Sequence, residues 1–180
     1  MSKLNYNKKV VLAGGPSTGK TSIINRLKKN GYQCFDEAAR EILSNFNEKG
    51  GRFKSNPIEI SNEILIKRDF DFKSSKNIKC KDNVVFFDRG VHEITAYLRS
   101  IDKSDEFWEN IIQNYNYDLI FIFPPWEKIY TKDLNRIEDF EEAKKISPFI
   151  FEIYSNNFEK FIEVPKLSLE ERVKFILERV

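Results

Sequence analysis

The stretch VVLAGGPSTGKTSIINRL, Val10 to Leu27, joins three patterns. An apolar run typical of a buried strand stops at Gly14-Gly15, a short polar turn follows, and from Lys20 the residues Ile23, Ile24 and Leu27 recur at helical spacing. Within it, Gly14-x-x-x-x-Gly19-Lys20-Thr21 has the spacing of a phosphate-binding loop. Such a loop must aim several backbone N–H groups into one concavity. Glycines supply the backbone angles and the close approach, and the following helix adds its positive end. The expected nucleotide contacts are therefore Gly14, Gly15, Pro16, Ser17, Thr18, Gly19, Lys20, Thr21 and Ser22. Lys20 would reach the β- and γ-phosphates of ATP or GTP, and the Thr21 hydroxyl would ligate Mg²⁺.

Outward from this stretch, strands and helices alternate. KKVVLAG is nearly all apolar from Val10, as a parallel strand covered on both faces must be. Asn30-Gly31 ends the first helix, YQCFDE reads as a second strand, and EAAREILSNF as a helix. Asn56-Pro57-Ile58-Glu59 supplies an N-cap, a proline at the first position and an acid for a helix to about Lys73. NVVFFD and LIFIF are further buried-type strands, and KFIEV a shorter fifth. Ser168-Leu169-Glu170-Glu171 opens the last helix with a capping box, its inward face Val173, Ile176 and Leu177. Pro148, inside helical periodicity from Glu138 to Asn157, is expected to kink that helix or restart it with Ser147 as cap. The whole predicts a single α/β domain over residues 1–180, a five-stranded parallel sheet with helices on both faces.

Such sheets bind ligands at the carboxyl ends of their strands, where the remaining candidates fall. VVFFDRG ends a strand with Asp88, placed to hold Mg²⁺ through its water shell, and Arg89 follows, placed to neutralise a phosphoryl group in transfer. ATPase motors carry a glutamate after this aspartate; arginine stands here instead. In FDEAAREI, Glu37 and Arg40 are three apart and share a helical face. Glu37 is the candidate base for an acceptor hydroxyl, with Arg40 and Arg89 orienting that acceptor. After the fourth strand, FPPWEKIYTKDLNRIED breaks at two prolines into a charged stretch. Residues 127–139 are expected to form a lid over the phosphates, with Arg136 as phosphate contact, while Trp126 or Tyr130 would stack on a base. His92 has no evident nucleophile beside it and is assigned a surface or turn role.

Composition narrows the function classes. A net charge of +2 over 180 residues is too slight to argue for a nucleic-acid partner. No apolar run is long enough to span a membrane, and the polar start MSKLNYNKK lacks a signal-peptide core, so a cytoplasmic protein is expected. Cys34 and Cys80 match no metal spacing; Cys34 reads as a buried small hydrophobe.

Together, GGPSTGKTS, DEAAREI, FFDRG and FPPWEKIY with EDFEEA resemble the AAA-type P-loop family that joins the ribosylnicotinamide kinase domain with the TRP-like translocation-defect GTP-binding protein. The likeness runs from Val10 to the final helix and implies a kinase-like P-loop fold. A looser similarity to deoxynucleoside kinases places a base carboxylate at Glu37 and an acid–arginine pair at Asp88-Arg89. The expected activity is transfer of the γ-phosphoryl group of ATP-Mg²⁺ to a small metabolite, nucleoside-like or phosphorylated. The alternative is a nucleotide-binding switch or slow NTPase working through a protein or lipid partner. The absence of an Asn-Lys-x-Asp stretch for guanine weighs against it.

Overall fold

The computed structural model describes residues 6–39, 41–43, 56–129 and 140–180, apart from the side chains of 140 and 142. Five parallel strands form one sheet: β1 (Lys8–Ala13), β2 (Gln33–Phe35), β3 (Val84–Asp88), β4 (Leu119–Ile122) and β5 (Phe161–Glu163), in the order β2-β3-β1-β4-β5. The helices are α1 (Lys20–Lys29), α2 (Pro57–Ser74), α3 (His92–Ser100), α4 (Glu106–Ile111), α5 (Phe140–Asn157) and α6 (Leu169–Leu177). Residues 38–39 and 41–43 are also helical.

Alternation along the strands explains why their sequences are apolar without interruption. Val11, Ala13, Val85, Phe87, Ile120 and Ile122 pack to one side with Ile60, Ile64, Leu98, Ile150 and Ile153 from α2, α3 and α5. Val10, Leu12, Val84, Phe86, Leu119 and Phe121 pack to the other, against Ile23, Ile24 and Leu27 of α1 and Val173 and Ile176 of α6. A strand apolar on both faces is stable only when both are covered. The helices supply that cover, which gives the three-layer α/β kinase-like P-loop architecture.

β1 lies between β3 and β4, paired Leu12 to Asp88 on one side and Ala13 to Ile122 on the other. The loops leaving the carboxyl ends of these central strands therefore meet at one rim, which positions the site.

Three local readings are corrected. Of the kink or restart expected at Pro148, the restart at Ser147 is not found: α5 runs from Phe140 to Asn157 as one helix with Pro148 inside it. Packing of Ile150, Ile153 and Tyr154, all buried, sustains it past the missing amide bond. Asn56 precedes α2 but its side chain caps no amide, donating instead to Glu59 Oε2 at 2.6 Å. β2 is only Gln33–Phe35, so Glu37 lies in the loop beyond its end. The capping box at Ser168 and Glu171 is present as expected.

Candidate active site

The glycine loop is shaped by its neighbours as much as by its sequence. Gly14 adopts φ 140° and Gly19 φ 87°, and Ser17, with φ 59°, is also left-handed. A Cβ on Gly14 would lie 2.5 Å from the Phe123 carbonyl oxygen, and one on Gly19 2.8 Å from Arg172 Nη1. A larger residue at Gly14 would push against the backbone that follows β4, and one at Gly19 would be strained by its left-handed φ and crowd the Arg172 guanidinium.

Lys20, the first residue of α1, is buried at 4 % exposure. Its ammonium donates to the carbonyls of Gly14 at 2.8 Å and Gly15 at 2.7 Å and to Thr18 Oγ1 at 3.1 Å. The lysine thus places its three protons on its own loop. Burial, followed by the charge of Arg89, pushes its pKa down to about 8. Asp88, 3 % exposed, shows the mirror effect: burial, followed by the negative charge of Glu37, raises its pKa to about 7. Its Oδ1 has no hydrogen-bond partner among the described residues. A buried carboxylate oxygen without a donor is a site for a hard cation, so Asp88 fits the Mg²⁺ role given to it with Thr21. Among the described residues no group of three or more His, Cys, Asp or Glu side chains forms a separate metal site.

Arg89 ties the rim together. It adopts a left-handed φ of 75° just beyond β3. Its Nε lies 2.5 Å from Glu37 Oε1, and its Nη1 donates to the Gly14 carbonyl at 2.9 Å and Glu93 Oε1 at 3.3 Å. The ends of β1, β2 and β3 therefore converge on one guanidinium. Glu37, Asp88, Arg89 and Lys20 are brought together; Arg40 and Arg136, and most of the expected lid, lie outside the described residues. Of the lid only its first turn, Glu127–Ile129, is described.

Several residues at the rim escaped sequence reasoning. Glu93 of α3 is buried and contacts both Gly14 and Arg89. Its signal is an acid four residues after Arg89 on a helix otherwise rich in inward apolar residues. Arg172 of α6 is buried, donates to the Thr18 carbonyl at 3.1 Å, and places its guanidinium 5.3 Å from the centre of the Trp126 ring. Arg68 of α2 donates to the Gly90 carbonyl at 2.6 Å. Both arginines sit beside core positions in their helices, which the one-letter pattern hides among surface charges. Of the surface or turn role given to His92, the surface part does not hold: at the start of α3 it is 2 % exposed, with ring centroids of Phe158 at 4.8 Å, Tyr154 at 5.4 Å and Tyr117 at 5.9 Å. The helix start turns it into the aromatic layer under α5 instead of outward.

Solved structures share this fold. The deoxyadenosine kinase of M. mycoides with bound dATP matches with a TM-score of 0.72 at 18% identity, over 96% of this chain and 98% of that one. The NadR protein in complex with NR matches with a TM-score of 0.75 at 16% identity, over 96% of this chain and 50% of that one. The thymidylate kinase of Candida albicans matches at 0.65 and 12% identity, over 96% of this chain and 90% of that one. At such identities the likeness is one of fold. No curated protein sequence matches the chain. Residues 9–172 match the family described as AAA domain, and the chain belongs to that family.

Proposed function

We propose that the protein is a P-loop phosphotransferase that moves the γ-phosphoryl group of a nucleoside triphosphate to a small-molecule acceptor, nucleoside-like or phosphorylated. One observation carries the reading: Arg89 lies between a loop carboxylate, Glu37, and the phosphate-binding loop, at 2.5 Å from one and 2.9 Å from the other. A base for an acceptor hydroxyl and a cation for the moving charge are thereby adjacent at the end of the nucleotide site. The kinases of similar fold, which act on deoxyadenosine and thymidylate, support an acceptor of that class.

In this reading Gly14 to Ser22 hold the triphosphate, and Lys20 leaves its loop carbonyls for the β- and γ-phosphates. Asp88 and Thr21 would hold Mg²⁺, which when bound neutralises phosphate charge. Arg89 neutralises the transferring group, and Glu37 accepts the proton of the acceptor hydroxyl. Catalysis of phosphoryl transfer is mostly positioning and charge stabilisation, which rigid loops on a parallel sheet can supply. Trp126, with Arg172 across its ring, would offer the nucleotide base a stacking face.

The test is loss of ATP and GTP by the purified protein with Mg²⁺ against a panel of nucleosides, nucleotides and vitamins. The expected result is acceleration by one acceptor class with stoichiometric phosphorylated product. Slow loss that no acceptor accelerates would reject the kinase in favour of a nucleotide switch.

A further inference from the structure

Glu93 is a buried acid that nothing in the phosphoryl-transfer reading uses, and its four contacts are all donors. Oε1 accepts from the Gly14 amide at 3.1 Å and from Arg89 Nη1 at 3.3 Å. Oε2 accepts from the Gly90 amide at 3.0 Å and from the Tyr154 hydroxyl at 3.3 Å. An ionised carboxylate is the one side-chain group that accepts on every side and donates on none. A side chain 2 % exposed that meets two backbone amides and a guanidinium must accept on both of its oxygens, which a glutamine could not do.

The donors belong to separate parts of the fold. Gly14 begins the phosphate loop, Arg89 and Gly90 form the turn after β3, and Tyr154 lies on α5. The turn is further clamped by Arg68 at the Gly90 carbonyl and by the Tyr117 hydroxyl, which accepts from the Val91 amide at 3.2 Å. A Cβ on Gly90 would lie 2.5 Å from the Tyr154 hydroxyl, so the turn packs directly on α5. Gly14 in turn offers its carbonyl to Arg89 and to Lys20. One carboxylate therefore sets the amide of a peptide whose neighbouring carbonyl receives both cations of the site.

We propose that Glu93 is a positioning residue: it fixes the Arg89 guanidinium and the Gly14 peptide relative to each other, so that the arginine and the phosphate loop act as one unit on the transferring group. The inference rests on the phosphoryl-transfer reading for its kinetic consequence, while the linkage itself stands on the contacts of Glu93. Misplacement of a positioned group by about 1 Å costs on the order of 10²-fold in rate.

Glu93→Gln tests it, because the amide keeps the shape and turns one acceptor into a donor facing donors. In NMR spectra of the nucleotide-free protein the Gly14 and Gly90 amide resonances should shift and exchange with solvent faster. In turnover, kcat should fall about 10²-fold while the KM for nucleotide changes less than about threefold. In an Arg89→Lys background the same change should cost only a few-fold, since the group it positions has already lost its fork. Tyr154→Phe, which removes one of the four donors, should shift the Gly90 amide and lower kcat in the same direction by less, and it serves should Glu93→Gln not fold. Unchanged Gly14 and Gly90 amides in the variant that folds, or losses that multiply fully in the Arg89→Lys background, would overturn the proposal. If the wild-type protein phosphorylates no acceptor, the kinase reading falls, and the amide measurements still decide the role of Glu93.

Discussion

Glu37 and Arg89, brought from the loops after two neighbouring strands, meet at 2.5 Å between Oε1 and Nε. Each is little exposed, 18% and 11% for the side chains, so the pair is shielded from salt and water more than a surface pair would be. In the proposed reading this pair links proton acceptance by Glu37 to charge stabilisation by Arg89. Glu37→Gln should reduce acceptor phosphorylation by about 10²–10⁴-fold with nucleotide affinity nearly unchanged. Steady-state kinetics beside calorimetric nucleotide binding measures both; equal losses in both would move Glu37 from acceptor chemistry to nucleotide binding.

In the proposed reading Lys20 exchanges partners when the triphosphate binds. Its ammonium bonds three oxygens of the loop, and phosphate contacts would take the place of these bonds. Charged hydrogen bonds contribute about 1.5–3 kcal/mol, so Lys20→Ala should weaken ATP or GTP binding by roughly 10- to 100-fold or more. Calorimetry on both proteins checks this. Equal affinities would mean that the loop does not receive the triphosphate.

Asp88 is expected to act through Mg²⁺. Asp88→Asn should raise the Mg²⁺ concentration needed for half-maximal turnover by about an order of magnitude. Because burial holds the carboxyl near 7, well above its ordinary range, its charge is unfavourable in the empty fold at pH 8. The melting temperature of the nucleotide-free variant should then be no lower than that of the wild type. An unchanged Mg²⁺ requirement would leave Asp88 with a structural part alone.

Trp126 and Arg172 offer a test at the other end of the nucleotide. Stacking on an aromatic side chain contributes about 1–3 kcal/mol per base. Trp126→Ala should therefore weaken nucleoside triphosphate binding about fivefold or more while leaving inorganic triphosphate binding unaffected. Parallel weakening of both ligands would assign Trp126 to packing against Arg172 only.

His92 makes stability depend on pH. Enclosed by the rings of Tyr117, Tyr154 and Phe158, it is pushed by burial down to about 3, against an ordinary value of 6.5. The unfolded chain protonates it below 6.5 and the folded chain does not, so its contribution to stability is lost as pH falls from 6.5 toward 3. Between pH 7 and 5 that amounts to ~2 kcal/mol, which His92→Phe should abolish. Urea unfolding of both proteins across this range measures it, and parallel pH curves would show that His92 titrates alike in both states.

Much of this protein follows from local chemistry and is legible without coordinates. The glycine spacing from Gly14 to Gly19 demands a loop between strand and helix, and that is where it lies. The uninterrupted apolar runs VVLA, VVFFD and LIFI require cover on both faces, hence a parallel sheet between helices. The strand end that carries Asp88 follows from the same runs, since they stop where the sheet stops. Tertiary structure alone decided the partners. Glu37 and Arg89 are far apart in sequence, and their pairing depends on β2 lying beside β3. Glu93, Arg68 and Arg172 carry no local mark, beyond the spacing of Glu93 from Arg89, that sets them apart from the other charges on their helices; each is buried where it meets a loop of the rim. His92 is inward because α3 starts directly beneath α5. Spacing along a chain encodes which face a residue takes, whereas what waits on that face is set by the sheet order, a non-local property that periodicity does not carry.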